Sequence, residues 1–301
     1  MAITLSMAAS PAITRIVVLG ATQGVGQALL EGFSQPQWAP RIEVHAVSRQ
    51  PNASTQAHLH WHVWDLIDGP IDQPAEAVIS LGPIQYVTDY LASYPHPTPP
   101  QAVWALSSAS TDFKHDSTNA QERSLMASIL DREQALERDC RERGIHCQLF
   151  KTTLLYGRGD RNINRLAGLI RRLRWVPVVG AGLRAPVHVD DVATLIAQQL
   201  KAWMRSGDLE SGVWRLQGGE VLTYPQMLQA IADARGLKCM PVRLPLMPLR
   251  WGLSLAHGMG GLHDIEASML ERQQQGLVVD DRPARARLHW QPRGFSFAQK
   301  R

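Results

Sequence analysis

The sequence predicts an α/β chain built on a doubly wound parallel sheet, with a small discontinuous C-terminal lobe. Three observations predict it. Short strand-like runs recur at 16–19, 42–47, 61–64, 77–81, 102–106 and 146–151, the first of them apolar at every position. Helical periodicity fills several of the gaps between them, and beyond residue 157 the rhythm changes to glycine- and proline-punctuated segments. Strands that read apolar on every residue are those buried on both faces of a parallel sheet, and alternation with helices supplies the cover.

Composition bounds the rest. A chain of 301 residues, 45% hydrophobic and 19% charged, can bury a sizeable core and is not a disordered one. No apolar run approaches the roughly 20 residues needed to span a bilayer. The first eleven residues lack a basic region followed by a sustained apolar one, so no secretory signal is expected. The net charge of +4 is spread over many segments without an aromatic-interleaved basic stripe, which argues against nucleic acid. Cys140, Cys147 and Cys239 have no C-x-x-C spacing and fit a reducing cytoplasm better than disulfides or a metal site; none is expected.

The elements follow in order. Ile16-Val17-Val18-Leu19 breaks at Gly20, and Gly24 and Gly26 punctuate the turn before an apolar helical pattern running to residue 33. A pyrophosphate sits at a helix N-terminus only if backbone amides approach it closely, which glycines permit. The spacing G-x-x-x-G-x-G departs from the commoner G-x-G-x-x-G. The second strand ends in Ser48-Arg49 with no acid. A carboxylate there selects a ribose hydroxyl, whereas an arginine accommodates a 2′-phosphate, so the residues read as NADP over NAD. A surface arginine before Pro51 is the plainer alternative. The third run ends at Asp65-Leu66 and the fourth at Gly82-Pro83. Helical periodicity over 84–94 stops in a proline-rich loop at 95–100, and the fifth run ends in Ser107-Ser108. A long amphipathic helix over 119–143 carries Glu133, Glu137, Arg138 and Arg141 as part of a solvated face and ends at Gly144. A strand at 146–151 follows. Later helices are expected at 190–204, 224–235 and about 262–275, with a strand at 213–216. The division expected is 12–155 with 187–217 as the nucleotide domain, and 156–186 with 218–301 as the substrate-covering lobe.

Together, Gly20-Ala21-Thr22-Gln23-Gly24-Val25-Gly26, Asp65-Leu66, Ser107-Ser108, Leu155-Tyr156-Gly157, the segment 186–192 and Pro292-Arg293-Gly294-Phe295 resemble one family. It is the extended, sugar-nucleotide epimerase/dehydratase-like branch of the short-chain dehydrogenases/reductases. The resemblance covers nearly the whole chain. It implies a Rossmann-type sheet and a dinucleotide held by Gly20, Thr22, Gln23, Gly24, Val25, Gly26, Ser48, Arg49, Asp65, Leu66, Gly82 and Ser107. Asp65 would bond the adenine edge and Gly82 would admit the cofactor, although Asp65 is equally a loop cap. By the same resemblance Ser108 matches the family's catalytic serine, with a plain strand-end cap as the alternative. Asp190 opens a late helix as its cap.

The catalytic pair is missing. Family members that move hydride use a tyrosine and a lysine four residues apart on the long helix. Here no tyrosine lies between Tyr94 and Tyr156 and no lysine between Lys114 and Lys151. Aligning Glu133 with the family's glutamate puts Leu125 and Ile129 in the two places, and neither can transfer a proton. Lys151 and Thr152 replace the branch's usual arginine and proline. Tyr156 is, with Ser108, a candidate catalytic residue lining the cleft, with a core tyrosine bonded to backbone as the alternative, and His188 is read as a buried histidine rather than a relay. Arg161, Asn162, Arg165 and Arg184 suit a phosphate or carboxylate substrate, or a solvated helix face. Two functions remain open: an NADP-dependent epimerase-, dehydratase- or reductase-like enzyme with substitute groups, and a non-catalytic NADP-sensing or assembly protein.

Overall fold

The computed structural model describes residues 13–22, 24–49, 56–64, 72–113, 119–245, 273–274 and 276–297. The strands are β1 (Thr14–Leu19), β2 (Ile42–Ser48), β3 (Leu59–Val63), β4 (Ala77–Ser80), β5 (Ala102–Ser108), β6 (His146–Thr152), β7 (Leu155–Tyr156), β8 (Trp175–Val178), β9 (Leu183–Arg184), β10 (Val187–His188), β11 (Gly212–Leu216), β12 (Leu222–Thr223) and β13 (Met240–Arg243). The helices are α1 (Gly24–Phe33), α2 (Gln85–Ala92), α3 (Ala120–Glu142), α4 (Arg161–Leu173), α5 (Val189–Ser206), α6 (Tyr224–Ala234) and α7 (Arg282–Arg287).

Seven strands form one sheet in the order β11-β6-β5-β4-β1-β2-β3. Pairings β2–β3, β1–β2, β1–β4 and β4–β5 are parallel. The order reverses between β1 and β4, as doubly wound sheets do at the point where ligands bind. This is the Rossmann-type α/β sheet that the apolar runs predict. Ile16, Val17, Val18 and Leu19 are all buried, which is why no polar residue alternates through β1. Each such side chain is worth about 1.5–3 kcal/mol relative to exposure. The helix expected over 262–275 lies outside the described residues except at 273–274, which form a turn. Helix α4, by contrast, is an element that the glycine- and arginine-rich sequence obscured.

The chain divides into two compact units, one of residues 1–106, 134–148 and 196–212, the other of 107–133, 149–195 and 213–301. In the first, the buried Gln148 satisfies both ends of its amide: its oxygen accepts from Trp104 Nε1 at 3.0 Å, and its nitrogen donates to the Glu210 carbonyl at 3.0 Å and to Gln199 at 3.2 Å. A buried amide left unpaired would cost a few kcal/mol, so this network fixes the local register. Gly144, with φ of +68°, closes α3 in the left-handed conformation its position predicts.

In the second unit, α4 and α6 pack Ile163, Ile170, Leu228 and Ile231 around Tyr156 and Phe295. A Thr223/Gln226 capping box starts α6. Helix α5 begins at Val189, so Asp190 falls inside its first turn rather than capping it. The ring of His188 does the capping instead: its Nδ1 accepts the Asp190 amide at 3.2 Å. Burial pushes the His188 pKa down, which keeps the ring in the accepting form.

Candidate functional site

The glycine turn belongs to the first unit. Gly20 has φ of +77°, and a Cβ there would lie 2.7 Å from the Gly82 amide nitrogen. Glycine is therefore required twice, by the backbone conformation and by the close approach of the segment after β4. The Leu81 amide donates to the Leu19 carbonyl at 2.8 Å, extending the β1–β4 ladder up to that contact. A Cβ on Gly26 would sit 2.6 Å from the Ala21 carbonyl oxygen, so this glycine serves the packing of α1 on its own turn. Gly24 opens α1, Val25 is buried and Thr22 is exposed. Gln23 lies outside the described residues.

The space beside Gly82 is filled from within the chain. A Cβ there would come within 2.6 Å of the Tyr86 ring. Sequence reasoning passed over Tyr86 because it reads as one more apolar position of α2. At the end of β2, the Ala21 amide donates to the Val47 carbonyl at 3.3 Å and ties the glycine turn to this strand. Ser48 is buried, and its carbonyl accepts the Trp64 amide at 3.0 Å. Arg49 stands next to it, exposed. Asp65 and Leu66 lie outside the described residues.

In the second unit the end of β5 meets a buried charge network. Lys151 Nζ lies 2.5 Å from Asp112 Oδ1 and 3.1 Å from Glu133 Oε2. Its side chain is 4% exposed and that of Glu133 5%. Ser107 Oγ donates to Glu133 Oε1, and Arg215 Nε reaches Asp112 Oδ2 at 2.6 Å. Burial pushes the Asp112 carboxyl up, but Arg215 and Lys151 outweigh it and hold the carboxyl below its ordinary value. Glu133 is thus not part of the solvated face on which the sequence placed it. Spacing along one helix cannot show which carboxylate the strand β6 will cover.

Ser108 Oγ accepts the Ser110 amide at 3.1 Å and begins a short 3₁₀ turn, Ala109–Asp112. Its half-exposed hydroxyl keeps its own proton for donation. Tyr156 is fully buried. Its hydroxyl donates to the Gly294 carbonyl at 3.2 Å and accepts the Ser296 amide at 3.3 Å. That arrangement favours the core reading of Tyr156 over the cleft-lining one. The segment Pro292-Arg293-Gly294-Phe295 works as a clasp: Arg293 donates from its amide and Nε to Asp191 at 2.9 and 2.7 Å, and the Phe295 ring packs 4.8 Å from Tyr156.

Arg161 and Asn162 occupy the first turn of α4, and their side chains are outside the described residues. Arg165 is exposed, as a solvated face requires. Arg184 is buried, donates to the Leu183 carbonyl at 2.8 Å and lies 5.8 Å from the Tyr224 ring centroid. On α3, Leu125 is 57% exposed and Ile129 half-buried. Among the described residues no group of three or more His, Cys, Asp or Glu side chains is arranged to hold a metal ion, and no helix is long and apolar enough to cross a membrane.

No family model and no curated protein sequence matches the chain. Solved structures do. The UDP-glucuronic acid 4-epimerase from Bacillus cereus, in complex with UDP-glucuronic acid and NAD, superposes with a TM-score of 0.65 at 13% identity, covering 92% of this chain and 94% of that one. MoeE5 in complex with UDP-glucuronic acid and NAD gives 0.64 at 16% identity, over 93% and 94%. The UDP-glucose 4-epimerase from Thermotoga maritima with UDP-glucose gives 0.62 at 14% identity, over 92% and 93%. The chain shares the fold of these three structures, two of which are UDP-sugar 4-epimerases.

Proposed function

We propose that the chain binds a nicotinamide dinucleotide at the Gly20–Gly26 turn, NADP in preference to NAD, and acts as an atypical epimerase-, dehydratase- or reductase-like short-chain dehydrogenase/reductase without the usual Tyr/Lys pair. The observation that carries the reading is the left-handed Gly20 turn packed on Gly82 at the end of β1. A glycine-rich turn into a helix N-terminus is what close approach of a pyrophosphate to backbone amides requires. The fold neighbours hold NAD beside UDP-sugars, which supports a nicotinamide dinucleotide and a nucleotide-linked, phosphorylated or carboxylated substrate. For NADP in particular, the support is the exposed Arg49 and the absence of an acid at the end of β2. Ser107 and Ser108 are the polar groups proposed at the end of β5, with Ser108 donating its hydroxyl to a substrate carbonyl or to the nicotinamide amide. The segments 156–186 and 218–301 are proposed to carry substrate contacts. Three free cysteines, two of them buried, fit a cytoplasmic setting.

Calorimetric titration of NADP and NAD into wild type and Arg49→Ala tests this. The wild type is expected to prefer NADP, and the variant to lose about 10- to 100-fold of NADP affinity with NAD affinity unchanged. Equal wild-type affinities overturn the preference. A second reading, a non-catalytic NADP-sensing or assembly protein, draws its support from the aliphatic Leu125 and Ile129 on α3. Tight cofactor binding without turnover across a substrate panel would favour it.

A further inference from the structure

Beside the proposed dinucleotide end, β2 and β3 carry titratable side chains that the reading so far leaves unused. Glu43 and His45 of β2, and His60 and His62 of β3, alternate by two along adjacent parallel strands and project from one face of the sheet. The rings touch. His45 Nδ1 lies 2.9 Å from His62 Nε2, and His45 stacks on His60 with centroids 5.3 Å apart. Glu43 Oε1 sits 3.4 Å from His60 Nε2 and 3.7 Å from His45 Nε2. His45 is 4% exposed, whereas the His60 side chain is 45% exposed.

Two imidazole nitrogens at 2.9 Å hold one hydrogen between them. A second proton would set two N–H donors face to face. Burial lowers the proton affinity of both His45 and His62; the neighbouring rings His62 and His60 add to this at His45, as His60 does at His62, and Glu43 opposes it at His45. Among the described residues, the other charged group acting on His45 is Arg15 of β1, which is itself paired with Glu76 at 2.7 Å. From α2, Tyr90 packs on Trp64 at 6.1 Å, and the following Tyr94 lies near Arg15 and Glu76. Burial raises both phenols, so they stay neutral in this range.

The cluster is mechanically tied to the proposed cofactor end. Among the described residues β3 is the edge strand, paired with β2 alone through a register that runs to Ser48 and Val63, and the Trp64 amide bonds the Ser48 carbonyl beside Arg49. We propose that the His45–His62 pair, with His60 stacked on His45, forms an acid-responsive latch: in mild acid protonation of the pair loosens β3 and weakens dinucleotide binding at Ser48-Arg49. The binding half of this proposal rests on the dinucleotide reading above. The direction follows from linkage. The unfolded chain takes up protons near the ordinary value of 6.5, the native rings only lower, so stability is full above that pH and falls below it.

The test compares wild type with His62→Gln, whose amide can donate to or accept from His45 Nδ1 but does not titrate. Hydrogen exchange of the β3 amides, the thermal midpoint and NADP and NAD affinities are measured near pH 7.5 and near pH 5.5, with EDTA present. In wild type, β3 exchange should quicken and the midpoint fall by about 3–5 °C on acidification. NADP affinity should weaken about 10-fold more than in the variant, which loses most of the acid response. Equal responses in the two proteins overturn the latch. If the variant does not fold, proton NMR of the wild-type imidazoles decides, and ordinary titration of His45 and His62 overturns it. Exchange and midpoint read the latch even without cofactor. An intact acid response with no binding at either pH sinks the dinucleotide reading, while binding beside a pH-indifferent β3 sinks the latch.

Discussion

Lys151 is the residue on which the charge of the second unit converges. With Asp112 and Glu133 both in contact and almost no solvent at its amine, removing it strands the Glu133 carboxylate in a low-dielectric setting and leaves Asp112 with Arg215 as its cationic partner. Lys151→Met should therefore destabilise by about 3–5 kcal/mol. Glu133→Gln added to it should recover part of that loss, because the two effects are not additive within one network. Chemical denaturation of the single and double variants measures this, and a single-variant loss below about 1 kcal/mol would contradict the buried pairing. Asp112 sets a pH dependence as well. Its native carboxyl is held below the ordinary value of 3.8, so the stability it contributes is present above that pH and is lost as the pH falls through its native value. Asp112→Asn should flatten that acid limb in a pH series of unfolding midpoints.

At the scale of elements, the β1–turn–α1 unit shows how much of a sequence motif is architecture. Gly26 touches its own turn, so Gly26→Val forces α1 away from β1. The expected outcome is a loss of about 1–3 kcal/mol in thermal unfolding, together with the loss of any cofactor binding. Gly20→Ala carries both the left-handed strain and the approach to Gly82, so its loss should be at least as large. A fully stable Gly26→Val protein that merely fails to bind cofactor would assign Gly26 to the ligand instead. The cap of α5 makes the same point in reverse. Acidic residues near a helix start usually read as caps, yet here the imidazole of His188 performs the task and Asp190 supplies the amide it accepts.

For the whole molecule, the testable consequence is chemical. Without a phenol and an amine on α3, UDP-sugar epimerisation and alcohol oxidation should fall by about 10²–10⁴ relative to what the fold supports elsewhere. An assay following NADPH absorbance and UDP-sugar interconversion across a panel checks it. Robust turnover that disappears in Ser108→Ala would assign that hydroxyl to the missing chemistry, and turnover indifferent to it would point to a different group.

The sheet, its strand starts, α3, the Gly144 stop and the glycine turn were legible in the sequence. Each depends on interactions between near neighbours: apolar runs, helical periodicity and residues that tolerate positive φ. That no tyrosine lies between Tyr94 and Tyr156 and no lysine between Lys114 and Lys151 needed only the sequence, since a residue type missing from a stretch is missing in every fold. What the tertiary structure decided was everything set by residues distant along the chain. Glu133 became a buried partner of Lys151, and Tyr156 a core residue held by backbone 138 and 140 positions away. Burial and partner choice fix protonation and strain, and neither is set by near neighbours along the chain.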